Sequence, residues 1–214
     1  MAMWRAVDLT GYFVHLRTVR ESDAEGILAA ATEDRSTYAY TWVPGTLAQV
    51  REHVATQLEE LHEGRSIPLV VEDVNTGRIV GQTRYLDIEY LVDRFVAPAR
   101  LPDPETPPRA VEIGGTWYAS SVQRSAVNTE CKLLMLSHAF DCWEVLRVSL
   151  KTDSRNLRSR QAIERIGAKF EGVRRAHMRA PDGTIRDSAY FSIVSDEWPD
   201  VRLGLLQRLG HPDH

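Results

Sequence analysis

Apolar and polar residues alternate along Val14-His15-Leu16-Arg17-Thr18-Val19, the two-residue period of a strand with one buried face. The pattern then changes. Ser22-Asp23-Ala24-Glu25 has the form of a capping box and predicts a helix through about Ala31. Leu47, Val50, Val54, Leu58 and Leu61 recur at three- and four-residue steps, which predicts a second helix stopped by Gly64. Strands are expected over Ile67 to Glu72 and Arg78 to Ile88, joined by the turn Asn75-Thr76-Gly77. A further strand spans Val111 to Tyr118, and Gly114-Gly115 marks a bulge or a close approach within it. Asn128 or Thr129 is the expected cap of a helix running to about 142, with Leu133, Leu136, Phe140 and Trp143 on one face. Leu146, Val148 and Leu150 alternate with Arg147, Ser149 and Lys151, a strand. Asn156 to Ile166 reads as a helix closed by Gly167, and Phe170 to Met178 with Ile185 to Val194 as a hairpin around Pro181-Asp182-Gly183. Ser195 opens a last helix with Pro199 in its first turn.

The order β, α, α, β, β, β, α, β, α, β, β, α predicts one α/β (α+β) domain over 1–214, a mixed sheet with helices on its faces. Between Val96 and Arg109 lie Pro98, Pro102, Pro104, Pro107 and Pro108, which exclude helix or strand interior there. A surface loop insertion at about 97–109 is expected.

Composition narrows the function. A chain of 214 residues that is 43% hydrophobic and 26% charged is an ordinary globular protein, long enough for one good core. Its net charge of −4 argues against a general nucleic-acid binder. The start lacks the apolar run of a secretory signal, and no stretch has the ~18 apolar residues of a membrane span. The expectation is a cytoplasmic protein with neither membrane nor nucleic acid as partner. Cys131 and Cys142 sit roughly 16 Å apart along one helix, too far for a disulfide, so both should be free thiols. His53 and His62 face apart on their helix, and no ligand spacing indicates a metal site.

The informative unit is the strand ending at Tyr118, the loop after it and the helix that follows. A strand-to-helix junction gathers unpaired backbone N–H groups at the positive end of the helix dipole and suits phosphate. Arg124 adds charge, and Ser120, Ser121 and Ser125 add hydroxyls. Many such junctions bind nothing.

Gln123-Arg124-Ser125-Ala126-Val127-Asn128 resembles the Q/R-x-x-G-x-G/A loop with which GNAT acyltransferases hold the pyrophosphate of coenzyme A. Ala126 and Asn128 stand where small glycines are usual. Lys151-Thr152-Asp153-x-x-Asn156-x-x-Ser159, Ile166-Gly167-Ala168-x-Phe170-x-Gly172, Glu171-Gly172-Val173-x-Arg175 and Arg186-Asp187 are similar to the RimJ/RimL-type ribosomal-protein N-terminal acetyltransferases of that superfamily. The resemblance implies a mostly antiparallel GNAT-like sheet and acetyl-CoA as acyl donor. The implied cofactor-binding residues are Trp117, Tyr118, Ala119, Gln123, Arg124, Ser125, Ala126, Val127, Asn128 and Thr129, with Asn156 facing the pantetheine arm. It places Ser159 near the thiol and the acceptor beside Tyr38, Tyr40 and Trp42. A homodimer is common among similar proteins.

In the implied reaction an amine attacks the thioester directly and must first lose a proton. Glu112, alternating with Val111 and Ile113, is the preferred general base, directly or through water. His177 is the second candidate, because its ordinary pKa suits neutral pH. Relatives place a Tyr acid four residues beyond Ser159, where this chain has Ile163, which cannot donate. Structural readings stand beside each role: an ion-paired Glu112, a surface His177, an ordinary helix Ser159, Asn156 as a cap, and aromatic residues covering the core edge. Three functions fit: transfer of acetyl to a protein N-terminus or small amine, transfer of another acyl group such as succinyl, and a non-catalytic coenzyme A-binding module.

Overall fold

The computed structural model describes residues 6–90 and 106–210, so most of the proline-rich insertion at about 97–109 lies outside the described residues. The strands are β1 (Asp8–Thr10), β2 (Val14–Thr18), β3 (Ile67–Asp73), β4 (Ile79–Glu89), β5 (Ala110–Tyr118), β6 (Arg147–Asp153), β7 (Lys169–Arg179) and β8 (Ile185–Val194). The helices are α1 (Ala24–Thr32), α2 (Leu47–His62), α3 (Val127–Ser137), α4 (Leu157–Arg165) and α5 (Trp198–Arg208). The strands form one sheet in the order β1-β2-β3-β4-β5-β6-β8-β7. Every neighbouring pair is antiparallel except β5 and β6, which run parallel. A mixed α/β sheet is what the sequence pattern predicted, and the mostly antiparallel pairing is what the GNAT resemblance implied.

Alternation decides which side chains are buried. Leu69 and Val71 of β3 and Tyr85 of β4 enter the larger core beneath α3, where the Tyr85 hydroxyl donates to the Met135 carbonyl at 2.8 Å. Gln82 and Arg84 point to the other face and bond Gln57 and Glu60 of α2. A smaller core there joins Ile27 of α1 and Val50 and Val54 of α2 to Val70 and Trp117. Each such aliphatic side chain contributes roughly 1.5–3 kcal/mol by leaving water. α4 and α5 enter the larger core through Ile163, Trp198, Val201 and Leu205, so they share the α3 face.

The β5–β6 junction positions the site. The two strands pair only at Ala110–Arg147, Val111–Val148 and Glu112–Ser149. Beyond Glu112, β5 continues to Tyr118 against β4, and β6 continues to Asp153 against β8. The sheet is thus split between β5 and β6.

Several local expectations are corrected. The three-residue β1 was not foreseen; it is too short to show a period. Before α1, Asp23 accepts the Arg20 amide at 2.7 Å, displacing the predicted Ser22–Glu25 box. Helix α3 starts at Val127 with Ala126 at its cap, so neither Asn128 nor Thr129 is the cap; the Ser125 hydroxyl accepts the Val127 amide at 3.3 Å. The α-helix ends at Ser137 and a π turn carries the chain from His138 to Cys142. Cys131 and Cys142 are both free thiols. Among the described residues no helix is long and apolar enough to cross a membrane.

Candidate active site

Glu112 is the last β5 residue paired with β6, and it is only 3% exposed. Its Oε2 lies 2.8 Å from Nζ of Lys151, which also reaches Asp87 at 3.1 Å. Burial raises the Glu112 carboxyl to about 7, the Lys151 ammonium opposing and Asp87 adding to the rise. Burial lowers Lys151, but Glu112 and Asp87 outweigh it and leave the ammonium with a raised pKa. The Glu112 carboxylate folds over Gly114, where a Cβ would stand 2.8 Å from Oε1. Glu112 opens into a cleft of about 130 Å³ lined also by Asp87, Ser149, Glu171 and Tyr190.

His177 belongs to the same polar face. Its Nδ1 is 2.9 Å from Ser188 Oγ, and its Nε2 is 3.4 Å from the hydroxyl of Tyr190. Partial burial and the charges of Arg174, Lys151 and Arg186 lower its pKa, so the imidazole is neutral near pH 7. Lys151 Nζ stands 6.0 Å from the centre of the Tyr190 ring, so Glu112 and His177 flank one polar face. Ser159 is in the first turn of α4, where its amide donates to Asn156 Oδ1 at 3.1 Å. Asn156 is the N-cap of that helix.

The aromatic residues divide. Tyr38 donates to the Tyr118 carbonyl at 3.1 Å and packs edge-on against Trp117. Tyr40 lies under the Arg155 guanidinium, 5.3 Å from ring centre to Cζ. Trp42 turns outward against His53 and is 52% exposed. Arg155 also holds Asp153 at the end of β6 and Asp182 in the β7–β8 turn, tying the aromatic loop to that hairpin. Arg158 adds a second tie, donating to Gln123 Oε1 at 3.3 Å and to the Thr37 carbonyl at 2.9 Å.

At the far end of β5, Trp117 and Ala119 are core residues, and the Tyr118 hydroxyl is buried beside Cys131. Burial pushes the Cys131 thiol up to about 12, which rules it out as a nucleophile. The Gln123 side chain is spent locally, its Nε2 donating to the Tyr118 carbonyl at 3.0 Å and to Thr37 at 3.2 Å. Arg124 adopts a left-handed φ of 62°. Among the described residues the amides of Arg124, Ser125, Ala126, Asn128 and Thr129 meet no protein acceptor, whereas those of Gln123, Val127 and Glu130 do. Five free N–H groups at a helix start, with Arg124 among them, suit a diphosphate. The residues present fit that part of coenzyme A. No group of three His, Cys, Asp or Glu among the described residues is arranged to hold a metal ion.

A family model described as "Acetyltransferase (GNAT) domain" matches residues 14–169. The chain belongs to the GNAT acetyltransferase family. RimJ of Mycobacterium smegmatis, solved with CoA-disulfide, superposes with a TM-score of 0.77 at 21% identity, covering 99% of this chain and 98% of that one. A GCN5-related N-acetyltransferase from Brucella melitensis gives 0.76 at 24% identity, covering 94% and 85%. The ribosomal-protein-S5-alanine acetyltransferase of Vibrio fischeri gives 0.67 at 19%, covering 90% and 98%. These neighbours share the GNAT fold. No curated protein matches the chain.

Lys151, Tyr190 and Arg155 carried no role in the sequence reading. Lys151 was visible as a charged residue alternating on a strand; its partner was not, because Glu112 lies 39 positions away on a strand whose neighbour only the topology reveals.

Proposed function

We propose that this GNAT protein is an N-acetyltransferase that moves acetyl from acetyl-CoA to a primary amine, a protein N-terminus or a small-molecule amine, by direct attack on the thioester. The observation that carries the reading is Glu112: a buried carboxyl with a pKa of about 7 at the point where the sheet splits.

Bound coenzyme A supplies a thioester-activated acyl group. The amides of Arg124 to Ala126 and of Asn128 and Thr129, with the Arg124 guanidinium, hold its diphosphate. Backbone groups of Trp117, Tyr118 and Ala119 border the opening into the split. Near pH 7 Glu112 is about half ionised, so it can take a proton from an incoming ammonium, directly or through one water. An α-amine, with an ordinary pKa near ~8, needs little help; a lysine side chain near ~10.4 needs more. Lys151 keeps the carboxyl from rising further. Neutral His177 is the second proton acceptor on this face. Ser159 takes the place near sulfur, and Ile163 leaves no phenol at the usual acid position. Tyr38, Tyr40 and Trp42 form the acceptor-side loop.

The test is thiol release from acetyl-CoA and from succinyl-CoA with a panel of amines, alongside calorimetric titration of each donor. Release with acetyl-CoA that Glu112→Gln abolishes supports the reading. Preference for succinyl-CoA replaces the acyl group. Binding without release from either, across the panel, rejects catalysis.

A further inference from the structure

Ser188, Tyr190 and Ser192 alternate on β8 and share one face of the sheet. Their cross-strand partners on β6 are Asp153, Lys151 and Ser149, and Arg174 of β7 stands opposite Ser188. His177, bonded to Ser188, belongs to the same face. Helices α3, α4 and α5 pack on the opposite side, and here Ser149, Lys151, His177, Arg186 and Tyr190 are all partly exposed. The Glu112 cleft lies at one end of this face and Tyr190 lines it.

The carboxylates on the face are engaged. Lys151 holds Glu112 and Asp87, Arg155 holds Asp153 and Asp182, and the Ser192 hydroxyl donates to Glu171 at 2.6 Å. Two cations are left over. Arg186 donates from Nε to Ser188 Oγ at 3.0 Å, and both its terminal nitrogens meet no acceptor among the described residues. Arg174 forms no ion pair among them, Arg186 acts on Asp153 through its charge alone, and both charges reach His177. A guanidinium fixed at Nε with its outer edge free has the geometry for bidentate capture of an oxyanion.

We infer that the acceptor is an amine that also carries an anionic group, a carboxylate or phosphate, which Arg186 and Arg174 hold while the amine faces Glu112. The inference rests on the transferase reading and adds the substrate class. From β5 to β8 is two strand spacings, and Arg186 lies well along β8 from Ser192, the position level with Glu112 through Ser149, so the backbones at Glu112 and Arg186 stand roughly 20 Å apart. Roughly six residues of extended peptide span that distance. A peptide N-terminus with acidic side chains at about its fifth and sixth positions fits, whereas a free amino acid is too short.

The experiment compares initial rates on matched pairs: Ala-Gly-Gly-Gly-Glu-Glu against Ala-Gly-Gly-Gly-Gln-Gln peptides, and γ-aminobutyrate against its amide as a pair too short to bridge. The expected result is a kcat/KM about tenfold higher for the acidic peptide, mainly through KM, and a ratio that falls towards one as salt rises. Preference confined to the peptide pair supports a peptide acceptor; preference within the small-molecule pair overturns the bridging geometry. Arg174→Gln with Arg186→Gln should bring the ratio near one in a protein whose thermal melt is unchanged. Should that protein not fold, the salt dependence of the wild type decides. Equal rates within both pairs overturn the inference and leave the transferase standing. No transfer to any member overturns the transferase and the inference with it.

Discussion

Lys151 reaches from β6 across the split in the sheet and sets its ammonium 2.8 Å from the carboxylate of Glu112. Burial and this ammonium act on the carboxyl in opposite senses, and burial is the larger effect, so the group titrates near 7. A base works only when unprotonated. The rate at low acceptor concentration should therefore rise as pH passes upward through about 7, ahead of the further rise from deprotonation of the amine itself. Glu112→Gln should lose the lower inflection and about 10²–10⁴-fold in turnover. Lys151→Met removes the opposing charge, so the inflection should move to higher pH by about one unit. A pH–rate profile of the three proteins decides; an unmoved inflection in Lys151→Met would show that the ammonium does not set the Glu112 pKa.

A second buried ammonium has no such partner. Lys132 of α3 is 5% exposed and, among the described residues, donates only to the Thr116 hydroxyl, at 3.0 Å. Burial lowers its pKa to about 8, from an ordinary 10.5. Between those values the folded chain binds fewer protons at this site than the unfolded chain. Stability should therefore rise with pH across about 8 to 10.5, and the charge costs the fold about 3 kcal/mol at neutral pH. Lys132→Met should stabilise by about 1–3 kcal/mol at pH 7 and remove that rise. Urea denaturation at pH 7 and pH 10 measures both; a less stable variant would show that the ammonium has a stabilising role.

Glu130, two residues earlier on the same helix, does the opposite. Its buried carboxylate accepts the amides of Tyr12, Phe13 and Val14 at 2.8, 2.7 and 2.8 Å, pinning the β1–β2 turn to α3. Gly11 lets it approach, since a Cβ there would stand 2.4 Å from the carboxyl carbon. Glu130→Gln replaces one acceptor oxygen with a donor facing N–H groups. The expected cost is about 2 kcal/mol, read as a lower denaturation midpoint at unchanged m-value. No loss would mean the turn is held by its own β1–β2 pairing.

These two groups show how far the sequence was legible. Strands such as β6 and β8 stood out because one face is apolar, and α2 because five apolar residues share a stripe. Glu112 could be singled out because a charged residue alternating with Val111 and Ile113 must enter a confined space. Its partner could not, since β5 lies next to β6 only through a parallel crossover by way of α3. Glu130 looked like an ordinary helix residue; nothing local ties it to a turn more than a hundred positions earlier. The phosphate loop was legible in outline, but its geometry depends on Arg124 taking a conformation that glycine adopts more readily.

That conformation lets charge and backbone be tested separately at one position. At a φ of 62° a residue with a Cβ is strained, so Arg124→Gly should raise stability by about 0.5–1 kcal/mol while keeping every free amide in place. It also deletes the guanidinium. Arg124→Glu keeps the strain and reverses the charge. If the diphosphate is gripped mainly by amides, Arg124→Gly should weaken coenzyme A binding by only a few-fold, and Arg124→Glu by about tenfold or more, with the difference shrinking as salt rises. Isothermal titration of the three proteins at two salt concentrations separates the contributions. Equal affinity for all three would place the diphosphate away from this loop, and the amides between Arg124 and Thr129 would then need another explanation.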